Sequence, residues 1–304
     1  MSEPPAGVEA GYPLARLTTV RAGGPADFFA RPSTQAELIA LLSWADRDGA
    51  EVGVVGSGSN LLVADDGFRG LVIKLTGELA TIERDQTRVV AGGGARLPSV
   101  AAKAASWGLS GIEFGINIPG TVGGAVRMNA NAYGGELGRA LDWIEVAGPD
   151  GVDRRTPDQL DFSYRDSNLE PGEVVAGAGF ALAEAPPSDV KSTMASMRQR
   201  RRDAQPSGIK TFGSTFKNPD PERAGGRTAG QLLAEAGCNG LTRGGARLSE
   251  KHANFVENTD EATTADILAV MAAARRRVHE RFGIELEPEV QVLGDVSWPE
   301  GWSL

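Results

Sequence analysis

Two glycine-rich stretches are the first places where this chain could do chemistry. Val54-Val-Gly56-Ser57-Gly58-Ser59-Asn60-Leu61-Leu-Val63 runs from an apolar pair into a Gly-x-Gly turn, and Gly92-Gly93-Gly94 repeats the theme. Such a turn opens the dinucleotide fingerprint, which needs a third glycine so that the next helix can approach its strand. Leu61 and Leu97 stand at that place, so neither stretch completes the fingerprint. What remains at Gly56 to Asn60 is a run of small residues, with Asn60 suited to left-handed backbone. Successive amides in such a turn can make a nest for an anion; taken alone, an ordinary tight turn is the simpler reading. A second segment, Ile118-Pro-Gly-Thr-Val-Gly-Gly-Ala-Val126, carries almost no large side chain and can lie against a flat ligand. Together the two segments point to a large cofactor. Other chemistries lack their residues. There is no Gly-Lys dipeptide for a P-loop and no Gly-x-Ser-x-Gly elbow, and neither His252 nor His279 sits in a zinc-protease motif. The lone Cys238 makes neither an intramolecular disulfide nor a thiolate cluster.

The elements that must position these residues follow from periodicity. Ser33 to Gly49 is expected to be a helix, with Thr34 and Glu37 as a capping box, Leu38, Leu41, Leu42 and Ala45 on one face, and Gly49 as the cap. Strands are expected at Val52–Val55 and Leu71–Leu75, which gives a small α/β opening. Beyond Arg88, Pro98 to Trp107 reads as a helix with proline in its first turn. Ile144–Ala147 and Val174–Leu182 read as strands, with a turn at Pro149-Asp-Gly151 and a boundary at Ala185-Pro-Pro187. Helices are expected at Asp189–Ala204, Ala229–Ala236 and Ala265–Phe282. A terminal strand over Ile284–Leu293 is interrupted by Pro288.

Composition narrows the class. At 304 residues the chain is long enough for two or three domains. A net charge of −9 argues against a nucleic-acid partner, which needs a basic face. The runs Arg198-Gln-Arg-Arg-Arg202 and Arg275-Arg-Arg277 read as solvated helix faces. The start lacks a basic and then apolar leader, and no apolar run approaches the roughly 18 residues of a membrane span. A cytoplasmic protein is expected, with the oligomeric state open and a monomer compatible.

Taken in order, several segments resemble the UDP-N-acetylenolpyruvoylglucosamine reductase (MurB) family of flavoenzymes. They are Thr18–Ala26, Val54–Leu62, Gly111-Ile-Glu-Phe through Tyr133-Gly134, Phe162–Ser167, Gly213–Pro219, Lys251–Phe255 and Leu286–Val290. The short spacing between the Ser-Tyr-Arg and Gly-Ser-Thr-Phe motifs resembles the branch that lacks an extra tyrosine-bearing loop. The resemblance implies an α+β protein with an FAD-binding type 2 fold of the vanillyl-alcohol-oxidase (PCMH-like) kind, plus a C-terminal α+β substrate domain. By analogy residues 1–75 form one FAD subdomain, rejoined by 293–304, residues 76–187 form the second, and 188–292 bind substrate.

The implied reaction is NADPH-dependent reduction of UDP-N-acetylglucosamine enolpyruvate to UDP-N-acetylmuramate through FAD, a step of peptidoglycan precursor synthesis. FAD would be non-covalent, since neither histidine nor the cysteine lies in an FAD-binding segment, and no metal is implied. By motif, Ser214 would donate the proton, with Arg165 and Glu289 flanking the substrate carboxylate. FAD contacts would fall on Arg21, Gly56, Ser57, Gly58, Ser59, Asn60, Leu61, Pro119, Gly120, Thr121, Gly123, Gly124, Ala125 and Asn129. Substrate contacts would fall on Tyr133, Tyr164, Arg201, Arg202, Lys217 and Asn218. Without the resemblance each catalytic candidate has a plainer reading: a turn serine, a surface Arg165–Asp166 pair, and the polar face of a strand for Glu289. Another flavin oxidoreductase, or a non-catalytic nucleotide-sugar-binding protein, are the competing functions. Two positions depart from the family pattern. Asn131 stands where glycine is usual, and asparagine tolerates positive φ. Ala204 stands where a basic residue commonly precedes Gln205-Pro206.

Overall fold

The computed structural model describes residues 2–299 and residue 302. The chain divides into two units. One gathers Met1–Gly11, Asp27–Ser57 and Arg69–Arg201; the other gathers Tyr12–Ala26, Gly58–Phe68 and Arg202–Leu304.

The first unit is built on two sheets. Strands β1 (Glu9–Pro13), β2 (Pro25–Ala30) and β5 (Phe68–Ile73), together with β3 (Glu51–Val54), form one sheet in the order β1-β2-β5-β3, and β3 runs parallel to β5. Helix α1 (Gln35–Arg47) lays Leu38, Leu41, Leu42, Trp44 and Ala45 into the same apolar cluster as Leu71 and Ile73, as the leucine spacing requires. The expected capping box is shifted. Thr34 Oγ1 accepts from Glu37 N, and the Glu37 carboxylate takes the N–H and hydroxyl of Ser33 as its main donors. Gly49 follows the helix at φ +64.

The second sheet is antiparallel, in the order β12-β11-β13-β7-β6. Its strands are β6 (Ile82–Asp85), β7 (Arg88–Gly92), β11 (Leu141–Gly148), β12 (Gly151–Arg155) and β13 (Val174–Ala181). Pro149-Asp150 closes the β11–β12 hairpin. The central strand β13 is buried along nearly its whole length, which is why its sequence is a continuous small and apolar run. Helix α2 (Leu97–Ser106) packs Val100, Ala101, Ala104 and Ala105 into this core with Val89, Ala91 and Phe180. Shorter pieces finish the unit: β8 (Leu109–Ser110) with β14 (Ala183–Glu184), α3 (Val122–Arg127), β9 (Asn131–Ala132) with β10 (Gly135–Glu136), and α4 (Leu137–Ala140). Helix α5 (Pro187–Ala204) buries only Val190 and Met194, and the division between units falls within it, after Arg201.

The second unit pairs β4 (Leu61–Val63) in parallel with β18 (Gln291–Leu293). It also holds the antiparallel β15 (Thr242–Arg243), β16 (Ala246–Leu248) and β17 (Val256–Asn258). Around them stand α6 (Pro221–Ala224), α7 (Ala229–Glu235) and α8 (Thr264–Phe282). Thr263 and Asp266 make a capping box at the start of α8, and Gly283 ends it at φ +65. Ile267, Met271 and Val278 of α8 meet Leu232, Leu233, Phe212, Phe216 and Trp302 in one core. The expected terminal strand is only half formed, since regular pairing is confined to Gln291–Leu293. Ile284 to Val290 forms no regular strand but alternates in burial, and Pro288, unable to donate, makes a single bridge to Phe216. Of the expected C-terminal return, residues 300, 301, 303 and 304 lie outside the described residues, as does Met1. Among the described residues no helix is long and apolar enough to cross a membrane.

Candidate functional site

In the second unit, backbone hydrogen bonds bring the segments of Ser214 and Glu289 together. Gly213 precedes the serine at φ +86, a conformation open to glycine, and turns the chain into the 214–217 segment, in which Ser214 and Phe216 each form a bridge. Ser214 makes an antiparallel bridge to Phe255, and Thr215 N donates to Asn254 O at 2.8 Å. On the other edge Glu289 N donates to Thr215 O at 2.8 Å, and Lys217 N donates to Glu287 O at 2.9 Å. The serine and the glutamate are therefore on neighbouring segments held in register. Lys217 Nζ lies 3.7 Å from the Glu287 carboxylate, and Asn218 Oδ1 accepts from Ala229 N at the first turn of α7. Among the second basic candidates, Arg202 is exposed on the last turn of α5, where the Arg202 and Gln205 carbonyls accept from Lys251 Nζ.

His252 supports this arrangement from behind. Its ring meets Phe255 edge-on, and its Nδ1 accepts from Asn254 N. Burial holds the imidazole below the usual histidine range. The unfolded chain therefore binds the proton more readily than the folded one. The stability tied to this residue is complete above about pH 6.5 and is lost as pH falls through the lower folded value. Denaturant unfolding at about pH 7.5 and about pH 5.5 should show His252→Gln to be less acid-sensitive than the parent.

The glycine-rich loop contributes to both units, Gly56 and Ser57 to the first, Gly58 to Leu61 to the second. In the second unit the left-handed residue is Gly58, at φ +64, and not Asn60 as its type led one to expect. A Cβ on Gly58 would stand 2.0 Å from Leu17 O, so backbone contact as well as φ demands glycine. Asn60 is used differently: its Nδ2 donates to Glu289 O at 3.0 Å, and its own carbonyl accepts from Gln291 N. Thr19 Oγ1 lies within hydrogen-bonding distance of both Gly58 O and Thr211 O. Arg21, at φ +61, donates through its guanidinium to Arg16 O.

In the first unit, a Cβ on Gly56 would fall 2.4 Å from Thr121 Oγ1, so the two glycine-rich segments touch there. Gly56 O accepts from the half-buried Lys74 Nζ. Burial first, then the charges of Arg31 and Arg96, lower the Lys74 pKa. The opening amides of α3 are engaged within the protein: Val122 N on Ala95 O, Gly123 N on Gly93 O, Gly124 N on Thr121 Oγ1. By contrast, among the described residues the amides of Gly56, Ser57, Gly58, Ser59 and Asn60 have no acceptor. Successive amides without an internal acceptor are what an anion-binding nest requires.

The Ile118–Val126 segment carries glycines that its own packing does not require. A Cβ on Gly120 or Gly124 would meet nothing nearer than 3.9 or 3.6 Å, so protein packing does not require glycine at either place. Gly124 is exposed in a helix, where glycine costs about 0.5–1 kcal/mol relative to alanine. A flat ligand close to the backbone accounts for both. Gly124→Ala should raise the stability of the FAD-free protein slightly. It should weaken FAD binding by about 1–3 kcal/mol, roughly tenfold or more. Thermal unfolding of the stripped protein and a flavin-fluorescence titration read the two signs separately. Pro119 and Ala125 flank these glycines, exposed and buried respectively.

Arg165 sits at the tip of a tight turn in the first unit. Ser163 and Asp166 exchange both backbone hydrogen bonds, so Tyr164 and Arg165 alone close the loop, with Arg165 at φ +59. Its guanidinium lies over the Tyr164 ring at 5.2 Å. Buried Asn129 anchors the turn: Nδ2 donates to Ser163 O and to the Glu136 carboxylate, and Oδ1 accepts from Gly138 N. Asn129 is itself left-handed, at φ +36. Ser167 Oγ donates to Arg127 O on the far side. Asn131 needs no positive φ: it lies in β9, paired with Glu136, and the left-handed turn falls on Tyr133 and Gly134. The family's glycine is thus dispensable there. Tyr133 lies under the Arg200 guanidinium at 5.0 Å, and half-buried Arg201 donates to Asn117 O. Sequence reasoning missed Lys74 and Asn254. A lone lysine inside Val72-Ile-Lys-Leu75 was the signal for the first.

Comparison with known proteins gives one answer. Residues 205–293 match the family described as the C-terminal domain of UDP-N-acetylenolpyruvoylglucosamine reductase, and residues 26–156 match the FAD binding domain family. The chain is 41% identical over 296 residues to UDP-N-acetylenolpyruvoylglucosamine reductase 2 of Symbiobacterium thermophilum, covering 97% of this chain and 94% of that one. It is 43% identical to the reductase of Agathobacter rectalis, covering 93% of each. The crystal structure of the Thermus caldophilus reductase (MurB) superposes with a TM-score of 0.80 at 37% identity, over 96% of this chain and 99% of that one. The fold is thus α+β with an FAD-binding domain, and the chain belongs to the UDP-N-acetylenolpyruvoylglucosamine reductase family.

Proposed function

We propose that this chain reduces UDP-N-acetylglucosamine enolpyruvate to UDP-N-acetylmuramate with NADPH, through non-covalently bound FAD, in the cytoplasmic synthesis of peptidoglycan precursors. The observation that carries the reading is the register of the second unit: Ser214, Glu289 and Asn60 of the glycine-rich loop lie on segments joined by direct hydrogen bonds. Residues 1–75 and 76–187 carry the cofactor in this reading, and 188–292 carry the nucleotide sugar. The amides of Gly56, Ser57, Gly58, Ser59 and Asn60 hold the pyrophosphate. Pro119, Gly120, Thr121, Gly123, Gly124 and Ala125 line the ring side, with Arg21, Leu61 and Asn129 completing the surround. Bound FAD supplies a two-electron carrier between NADPH and the vinyl carbon of the substrate.

The chain's own residues handle the charge and the proton. Negative charge develops on the carbon beside the substrate carboxylate, and fixed donors aimed at it stabilise it most. Arg165 offers a planar fork that is always charged. Glu289 helps as the protonated acid, since a second free carboxylate would repel the developing charge. Ser214 Oγ–H gives its proton to that carbon. Serine is a weak acid and can do this only towards a strongly basic centre, with the proton returned afterwards. Tyr133, Tyr164, Arg201, Arg202, Lys217 and Asn218 orient the nucleotide sugar.

A visible spectrum tests the reading. The purified protein should be yellow, bleach with NADPH, and regain colour when the enolpyruvyl substrate is added. Bleaching without substrate-dependent recovery would mean a different flavin oxidoreductase, and a colourless protein that cannot take up FAD would mean a binding protein.

A further inference from the structure

The 214–217 segment belongs to no regular strand, yet its backbone is held on both edges. One edge is unusual because a side chain takes the place of a strand. Asn254 Oδ1 accepts from Phe216 N at 2.9 Å, and Asn254 Nδ2 donates to Phe216 O at 2.9 Å. The Asn254 carbonyl takes the preceding donor, Thr215 N, at 2.8 Å. Three bonding positions just after Ser214 thus close on one residue, which is 4% exposed. The chemistry at position 254 is restrictive. The Phe216 N–H can only donate and its C=O can only accept, so the partner must offer one acceptor and one donor side by side. A carboxylate has two acceptors and would face the Phe216 carbonyl with a like dipole. Alanine would leave both buried backbone groups without a partner.

We propose that Asn254 is the positioning residue of the proton donor: its side-chain amide stands in for a missing strand and fixes where Ser214 Oγ points. This rests on the reading of Ser214 as that donor. Misplacing a reacting group by about 1 Å can cost about 10²-fold in rate. The loss should fall on the step that uses Ser214 and on no other.

The test uses the FAD-loaded full chain in rapid mixing, reading flavin bleaching by NADPH and recolouring by the enolpyruvyl substrate separately. Asn254→Asp should leave bleaching within about twofold of the parent and slow recolouring by about 10²-fold. The double variant Asn254→Asp with Ser214→Ala should be no slower than Ser214→Ala alone, within about twofold, because both changes remove the same proton transfer. Losses that multiply in the double variant would overturn the proposal. So would unchanged recolouring in folded Asn254→Asp, or equal slowing of both half-reactions. Should Asn254→Asp not fold, Asn254→Ser takes its place with the same outcomes. Ser214→Ala alone checks the underlying reading: if it recolours normally, Ser214 is not the donor. If it is slow while Asn254→Asp is normal, only the positioning role fails.

Discussion

Ser214→Ala is expected to bleach with NADPH as the parent does and to recolour with the enolpyruvyl substrate at least about 10²-fold more slowly, the usual scale of a positioned acid. The two halves separate because hydride entry into the cofactor requires no proton from this serine, whereas completion of the product does. The structure gives the substitution little else to disturb. Ser214 is partly exposed, and its backbone is fixed by Gly213 before it and by the Thr215 bonds to Asn254 and Glu289 after it. None of these uses the hydroxyl, so alanine should keep the register of 214–217 against 287–289. Thermal unfolding should therefore move little while recolouring falls. A parent-like recolouring rate would remove Ser214 from the mechanism.

Much of the frame behind this prediction could be read in advance. The leucine spacing of α1, the Pro149-Asp150 hairpin and the long α8 follow from local periodicity and turn chemistry. The candidate residues came from ordered motifs rather than from any one pattern. Much of what was missed depends on partners far apart in the chain. Asn254 and Phe216 are 38 positions apart, and Asn60 and Glu289 are 229 apart. Asn60 looked like a turn residue because its type tolerates left-handed backbone, yet long-range bonding kept it out of that region and gave the role to Gly58. The α1 cap shifted by one residue because the Ser33 hydroxyl and amide together offer the Glu37 carboxylate two donors. The left-handed residues at the candidate site are the clearest case. Arg21, Asn129, Tyr133 and Arg165 all have positive φ, and only the asparagine is of a type that signals it. Such backbone persists only where its surroundings over-determine it, and such residues cluster at functional sites.

Arg165 carries the other large effect. Arg165→Gln should lower the rate of recolouring by about 10²–10³-fold, the scale seen when one charged or dipolar donor to a developing oxyanion is removed. Arg165→Lys should recover part of that loss but not all, because an ammonium supplies the charge without the planar pair of N–H groups that matches a carboxylate. The backbone makes this comparison clean. At φ +59 arginine, glutamine and lysine, all unbranched at Cβ, carry a similar conformational cost, so the Gln and Lys variants share the strain and differ in the head group. The turn itself is held by the backbone pair of Ser163 and Asp166 and by Asn129 Nδ2 on Ser163 O, bonds that are made without the guanidinium. Arg165→Gly is the informative opposite. It relieves the left-handed strain, so the protein should be as stable as the parent or slightly more so, while recolouring stays as slow as in Arg165→Gln. Stability rising as activity falls would mark the strain at Arg165 as held for chemistry. If Arg165→Gln and Arg165→Lys both recolour at the parent rate, the substrate carboxylate must be met by other cations, with Lys217 the next candidate.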